Sequence, residues 1–447
     1  MIKILVVGSG AREHAICEHL LLNRSDVELF VFAASNNPGI SKLAKEMQVG
    51  DLLDFAAVAN FAQEHNCAYG IIGPENPICA GLVDYLAEKI GLQVLAPKKL
   101  AAQLEGSKAF TRSLMEKYSI PGLPGFRIFN QNNKGEAQDF ILDELKGEYV
   151  VKYDGLVGGK GVKLSGEHLP DLASGLAYID ECLAQSSEVV IEEKLVGQEF
   201  SLIAISDGTN LYHFPLVQDH KRAHDGDTGP NTGGMGTYTA PDLRLPFVSL
   251  DELDAAKTIN KQIIEAVKAE TGVPYVGVLY GGFMVTKNGV KVIEYNSRFG
   301  DPEAMNLLNH LEISFVDLLI AALEGRLAEL KQEFKNQATV CLYLVPNGYP
   351  DQPEKGGILT LIKEQVPAKI YFASVDFVSE TENELTLKML GSRAVAVVGF
   401  GDSIEEARQN AAQTLGIFKG PFFFRTDIGS PDVIYQKVQQ MQSLKAA

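Results

Sequence analysis

An apolar run, Ile4-Leu5-Val6-Val7, passes through Gly8-Ser9-Gly10 into a helical pattern that puts Ala15, Ile16 and Leu20 on one side. A short continuous apolar run closed by glycine reads as a strand buried on both faces, and such a strand needs helices to cover it. The pattern recurs. Val27–Ala33 forms a second strand ended by Ser35-Asn36-Asn37-Pro38-Gly39, and Tyr69–Ile72 a third ended by Gly73-Pro74-Glu75-Asn76-Pro77, before a helix over about 78–90. The first hundred or so residues therefore predict a doubly wound α/β domain, with ligands at the C-terminal ends of its strands.

Further on the pattern changes. Lys108 falls in a helical stretch that ends before Pro121, and a β-rich unit follows with strands at 149–152, 161–164 and 189–192. Strands at 279–286 and 290–295 flank Lys287-Asn288-Gly289, a hairpin signal inside a larger α+β unit. The last stretch repeats strand and helix signals at 339–345, 394–400 and Ile404–Leu415 without evident catalytic residues, as expected of a lid or support. A chain of 447 residues exceeds one ordinary core. The expected division is 1–104 for the N-terminal α/β domain, 105–190 for a linker helix and small lobe, 191–328 for a central lobe and 329–447 for a C-terminal α+β domain.

The formal net charge of −17 argues against nucleic acid or an anionic membrane as a partner, while leaving room for a local basic pocket. Five scattered cysteines with no CxxC pair point to a reducing compartment, and a cytoplasmic location is expected. No signal-peptide pattern precedes the first strand, and no apolar run approaches the roughly 18 residues of a membrane span.

Four clusters carry chemistry. In Gly8-x-Gly10 the third glycine of a dinucleotide fingerprint is replaced by Glu13, and Asn36 and Asn37 stand where an acidic residue belongs. NAD is disfavoured. The turn can still offer backbone N–H groups and a helix N-terminus to a phosphate, with Arg12 and His14 nearby, or it can be a tight turn with no ligand. Lys152 lies on a strand feeding Gly158-Gly159-Lys160-Gly161, which is either a phosphate-covering loop or a flexible hairpin with a solvated Lys160; it lacks Walker A spacing. Asp219-His220-Lys221-Arg222 precedes a long polar loop ending in Asn231-Thr232-Gly233-Gly234-Met235-Gly236. An ordinary surface loop is the bland reading, and the adjoining basic pair favours function. Finally, alternation along 292–298 sets Glu294, Asn296 and Arg298 on one face and Ile293, Tyr295 and Ser297 on the other. A carboxylate and an amide oxygen are hard ligands for Mg²⁺, and arginine suits a carboxylate or phosphate; a half-exposed strand facing water is the bland reading.

These strings, in this order, resemble the ATP-grasp superfamily, and within it most closely the phosphoribosylamine–glycine ligase family of purine biosynthesis. Gly73-Pro74-Glu75, Gln103-Leu104-Glu105-Gly106-Ser107-Lys108 and Phe424-Arg425-Thr426-Asp427-Ile428-Gly429 extend the resemblance over nearly the whole chain. It implies an ATP-grasp fold of two lobes between an N-terminal pre-ATP-grasp domain and a C-terminal domain. It implies ATP contacts from Lys108, Lys152, Gly158, Gly159 and Lys160, from the backbone of Glu192, Glu193, Lys194 and Leu195, and from Glu199 on the ribose. Mg²⁺, with Mn²⁺ as an alternative, would sit on Glu294 and Asn296, and Lys221 and Arg298 would carry charge at the reacting centre. Glycine and 5-phosphoribosylamine would be held by Gly8, Ser9, Gly10, Gly73, Pro74, Glu75, Asp219, Asn231, Gly233, Gly234, Met235, Gly236 and Arg298. The chain departs from the family pattern at Ser9, Ala11, Tyr153, Ser297 and Phe372.

Overall fold

The computed structural model describes residues 1–158 and 161–446. Gly159 and Lys160, expected in the phosphate loop, lie outside the described residues.

The N-terminal sheet is built from β1 (Ile2–Val7), β2 (Val27–Ala33), β3 (Glu46–Val49), β4 (Tyr69–Ile72) and β5 (Gln93–Leu95), with α1 (Ala11–Leu21) between the first two. All pairings are parallel, in the order β3-β2-β1-β4-β5. Alternate residues of β1 serve two cores: Ile4 and Val6 pack with α1, Leu5 and Val7 with Phe32, Ile72 and Leu86 on the other face. Each of the four is fully buried, and burial of such a side chain contributes roughly 1.5–3 kcal/mol. The strand order reverses between β1 and β4, whose C-terminal ends carry Gly8 and Gly73, so the crevice of the sheet opens there. The single helix expected over 78–90 is two, Glu75–Ala80 and Leu82–Ile90, because Gly81 between them takes φ 106°, a left-handed value that glycine reaches without strain.

The next sheet is antiparallel and small: β6 (Phe126–Phe129), β7 (Tyr149–Tyr153), β8 (Val162–Leu164) and β9 (Val189–Glu193), ordered β6-β9-β7-β8. Then come β10 (Gly197–Asp207), β11 (Leu211–His213), β12 (Gln218–Asp219), β13 (Arg222–His224), β14 (Thr228–Asn231) and β15 (Gly236–Thr239). A helix, Leu250–Thr271, leads to β16 (Val276–Thr286) and β17 (Gly289–Asn296). The central sheet runs β11-β10-β16-β17.

β12 and β15 do not join it. They continue a C-terminal sheet through β18 (Ala338–Pro346), then Val395–Gly401 and Ala368–Phe372. The polar segment 217–240 is thus shared between the central and C-terminal units, and the sheet crosses the division expected at 328/329. Among the described residues no helix is long and apolar enough to cross a membrane, and the five cysteines are free.

Candidate active site

The small and central sheets face each other across a cleft of about 660 Å³. Its wall carries nine carboxylates and eight cations in a chain whose net charge is −17, so the cleft gathers a disproportionate share of the positive charge. β17 forms the floor. Glu294, Asn296 and, just past the strand, Arg298 all line the cleft, while Tyr295 and Ser297 are buried behind. Ile293, expected on the opposite face, lines it too, because the β16–β17 register slips at Gly282/Phe283 and turns one extra residue inward.

A buried ion network ties the sheets together below this floor. Arg112 grips Glu192 with two nitrogens at 2.6 and 3.0 Å, and Lys152 reaches the same carboxylate at 2.7 Å. Both cations also donate to the Ile293 carbonyl, each at 2.8 Å. The small sheet (Lys152 on β7, Glu192 on β9) is thereby fastened to the strand that carries Glu294. Burial pushes the Lys152 ammonium down and Glu192 opposes it; Glu192 itself is pushed up by burial but held below the usual carboxylate range by Arg112 and Lys152. Lys108 Nζ lies across the opening, 3.2 Å from the Gly155 carbonyl.

Most carboxylates on the wall are already paired. Arg298 lies 3.1 Å from Glu105 and 3.3 Å from Glu75, Lys221 lies 3.4 Å from Glu199, and Asp301 and Asp227 pair with Arg393 and Arg425. Glu294 differs. Among the described residues neither its carboxylate nor the Asn296 amide is taken up by a hydrogen bond or ion pair, although both line the cleft. Burial would raise Glu294, yet Lys221, Lys108, Lys152 and Arg298 together hold it below the usual range, so it is an anion at neutral pH. No group of three or more His, Cys, Asp or Glu able to hold a metal occurs among the described residues. Two free hard oxygens fit Mg²⁺, which takes its remaining ligands from phosphate and water. Burial pushes Asp219 and Glu303 above the usual range, Glu303 raising Asp219 further, and Tyr280 donates to Glu303 at 2.9 Å.

The polar loop expected after Arg222 is an ordered hairpin, β13 against β14, turning through Gly226 and Asp227 with φ of 73° and 53°. Its order comes from the C-terminal segment. Arg425, 1% exposed, donates to Asp227 at 2.8 Å and to the Arg222 carbonyl at 3.0 Å, and Asp427 accepts from the Gly226 N–H at 2.8 Å.

Several expected residues meet in this cleft: Lys108, Lys152, Gly158, Glu199, Glu75, Asp219, Lys221, Asn231, Gly233, Glu294, Asn296 and Arg298 all line it. Others do not. Met235 is fully buried, with its N–H on the His220 carbonyl and its C=O on the Tyr343 N–H, and Gly236 lies in β15. Gly234, at φ 113°, underlies the turn: a Cβ there would stand 2.6 Å from Pro302 and 2.7 Å from Asp219. The Glu192 side chain is consumed by the ion network, and the N–H groups of Glu193 and Lys194 go to the carbonyls of Gly125 and Glu148; Leu195 is half-buried. At the N-terminal turn, Gly8, Ser9, Gly10, Gly73 and Pro74 flank the cleft rather than line it. The Gly10 N–H, expected to be open to phosphate, instead donates to Glu13 at 2.6 Å, and Arg12 pairs with the same carboxylate at 2.6 Å. Glu13 caps α1 in the space that a third glycine would leave, which cancels much of the helix terminus as an anion site.

The sequence strings do not point to Arg112, Arg393 or Lys437, which sit in no recognisable local pattern and reach the cleft or its floor from distant segments. Glu105 lay inside a quoted string, but nothing there announced its pairing with Arg298.

Comparison with known proteins gives consistent matches along the chain. Residues 2–105, 106–304 and 339–431 match, in turn, the N domain, the ATP-grasp (A) domain and the C domain of phosphoribosylglycinamide synthetase. A protein of Methanosarcina barkeri named phosphoribosylamine--glycine ligase is 43% identical over 443 residues, covering 99% of this chain and 100% of its own. Its namesake in Methanocaldococcus jannaschii is 43% identical over 452 residues, with coverage of 99% and 100%. Among solved structures, phosphoribosylamine--glycine ligase of Thermotoga maritima superposes with TM-score 0.77 at 28% identity, covering 96% of this chain and 100% of that one. Biotin carboxylase of Campylobacter jejuni, at TM-score 0.70 and 14% identity over 99% and 98%, shares the fold.

Proposed function

The chain belongs to the phosphoribosylglycinamide synthetase family, and from that premise we infer its reaction: ATP-dependent ligation of glycine to 5-phosphoribosylamine, giving glycinamide ribonucleotide, ADP and phosphate in purine biosynthesis. The glycine carboxylate attacks the γ-phosphate to form glycyl phosphate, and the amine of phosphoribosylamine then displaces phosphate at the acyl carbon.

The observation that carries the reading of the site is the uncommitted pair Glu294 and Asn296, ringed by Lys221, Lys108, Lys152 and Arg298 in a cleft whose other carboxylates are mostly paired. Phosphoryl transfer to a carboxylate brings two anions together, and the protein's task is to position them and offset the charge. Lys108 and Lys152 serve the phosphates of ATP with the loop at Gly158, and Lys221 and Arg298 face the reacting groups. Mg²⁺, or Mn²⁺ in its place, would be held by Glu294 and Asn296 and would supply positive charge to offset that of the phosphates. Glu199 serves the ribose. With the Glu193 and Lys194 N–H groups occupied, the adenine contact narrows to the Leu195 end of that segment. Asp219, Asn231 and Gly233 hold substrate beside Arg298, and the phosphoribosyl end lies against the N-terminal turns at Gly8–Gly10 and Gly73–Glu75. There the Gly8, Gly10 and Gly73 N–H groups are taken by Phe32, Glu13 and Val7, and the contact falls to Ser9 and the neighbouring side chains. The free cysteines accord with a cytoplasmic location.

The test is ADP release with phosphoribosylamine generated in the assay from ribose 5-phosphate and ammonia. Release should require glycine, phosphoribosylamine and Mg²⁺ together. Turnover with other carboxylate and amine pairs but none with this one would reject the assignment.

A further inference from the structure

Arg393 lies in the C-terminal segment, far in sequence from the other residues that line the cleft except Lys437, yet its guanidinium lines the cleft with a side chain 15% exposed. Its Nη1 donates to three carbonyls: Gly233 at 2.6 Å, Gly234 at 3.0 Å and Asp301 at 2.7 Å. Nη2 lies 3.2 Å from the Asp301 carboxylate, whose Oδ1 also accepts from the Tyr343 hydroxyl at 2.6 Å. The guanidinium stacks over the Tyr343 ring at 4.5 Å. Bare backbone at the turn favours this approach, since a Cβ on Gly233 would stand 3.1 Å from Cζ of Arg393 and crowd the guanidinium.

With both carbonyls held, the turn has little freedom left. The Gly234 N–H goes to Thr232 Oγ1 at 3.0 Å and the Met235 N–H to the His220 carbonyl at 2.8 Å. Asp301 extends the assembly toward the amino terminus: its Oδ2 lies 3.8 Å from where a Cβ on Gly10 would be. One guanidinium therefore joins the C-terminal sheet, the Gly233–Gly234 turn and the turn after β17, and presents them to the N-terminal glycine turn. The ATP-side cations Lys108 and Lys152 are fastened elsewhere, to Gly155, Glu192 and Ile293.

We propose that Arg393 is a positioning residue for the acceptor side of the reaction, holding Gly233–Gly234 and Asp301 against the Gly8–Gly10 turn where phosphoribosylamine binds. The inference rests on the reaction proposed above. Lysine cannot substitute, because a single ammonium offers neither the planar fork that reaches all four acceptors nor the stacking face.

The experiment compares Arg393→Lys with the unaltered chain by calorimetric binding of glycinamide ribonucleotide, the stable product, and of Mg-ADP, alongside KM for each substrate. Expected are a loss of roughly tenfold or more for glycinamide ribonucleotide and in the KM for phosphoribosylamine, with Mg-ADP affinity and the KM for ATP within about threefold. Equal losses for both ligands, or no loss for either, overturn the proposal. Arg393→Gln, which keeps a planar amide donor but not the fork, must show the same split, which covers the case in which Arg393→Lys folds poorly. If the unaltered chain binds no glycinamide ribonucleotide, it is the reaction that fails, not the role of Arg393 within it.

Discussion

Glu192→Gln tests whether the network beneath the cleft is what holds the two lobes in register. The Glu192, Arg112 and Lys152 side chains are 4%, 3% and 8% exposed, so water screens them little. At 2.6 and 2.7 Å and an effective dielectric near 20, each contact has a gross Coulomb energy of about 6 kcal/mol. Most of that repays the desolvation of charges held out of water. What the substitution exposes is the remainder, two buried cations with no anion between them, and breaking a buried pair in this way costs about 3–5 kcal/mol. Glutamine keeps the shape and one acceptor, so the loss comes from charge rather than from a cavity. Differential scanning calorimetry should show the transition that includes the small lobe falling by about 5–10 °C, with a higher KM for ATP because Lys152 loses its anchor. The drop should persist from 0.05 to 0.5 M salt, since ions screen exposed pairs far more than buried ones. Adding Lys152→Met to Glu192→Gln should recover part of the loss by removing one orphaned cation. A fall of under about 1 kcal/mol, or one abolished by salt, would refute the reasoning.

Two further outcomes separate chemistry from folding. Glu294→Gln should lower kcat/KM by about a hundredfold or more while moving the melting temperature by only a few degrees, because the carboxylate lies open to the cleft and pairs with no single partner; wild-type rates in that variant would remove Glu294 from the metal site. His14, His19, His213 and His310 are each pushed down to about 4 by burial. Unfolded histidines titrate near 6.5, so between about 6.5 and 4 the unfolded chain binds more protons, and stability that is fully present above 6.5 is lost as the pH falls through that window. Each contributes up to about 3 kcal/mol. Melting temperatures should decline steeply across that range and little between pH 8 and 6.5, and a flat profile would contradict the buried neutral rings.

The difference between what could be read from the chain and what could not follows the reach of each interaction. Val27–Ala33, Tyr69–Ile72 and Ile404–Leu415 have the bounds expected of them, because an apolar run or an amphipathic period with a cap is local information, as at Ser403, whose side chain accepts from the Glu406 N–H. β3 and β5 escaped because one is a mostly exposed edge and the other only three residues long. The hairpin at 222–231 escaped for a different reason. Its composition has no period, and its order is imposed by Arg425 and Asp427 some two hundred positions later. The cleft divides in the same way. Glu294, Asn296 and Arg298 announce themselves by alternation on one strand, whereas Glu192 looked like a backbone contact for adenine until its partners, 80 and 40 residues away, were in view. His14 is the clearest case. On the sequence it suggested an anion site, but its Nδ1 accepts from the Phe372 N–H at 2.9 Å, and Asn37 donates to the Phe372 carbonyl at 2.7 Å. Both hydrogen bonds use the backbone of a residue at which the chain departs from its family, so they do not depend on that side chain, although the His14 ring also stacks on the Phe372 ring at 5.7 Å. The C-terminal segment thus grips the N-terminal turn through His14 and Asn37, the hairpin through Arg425 and the glycine turn through Arg393. A segment without a catalytic string of its own sets the position of three walls of the cleft.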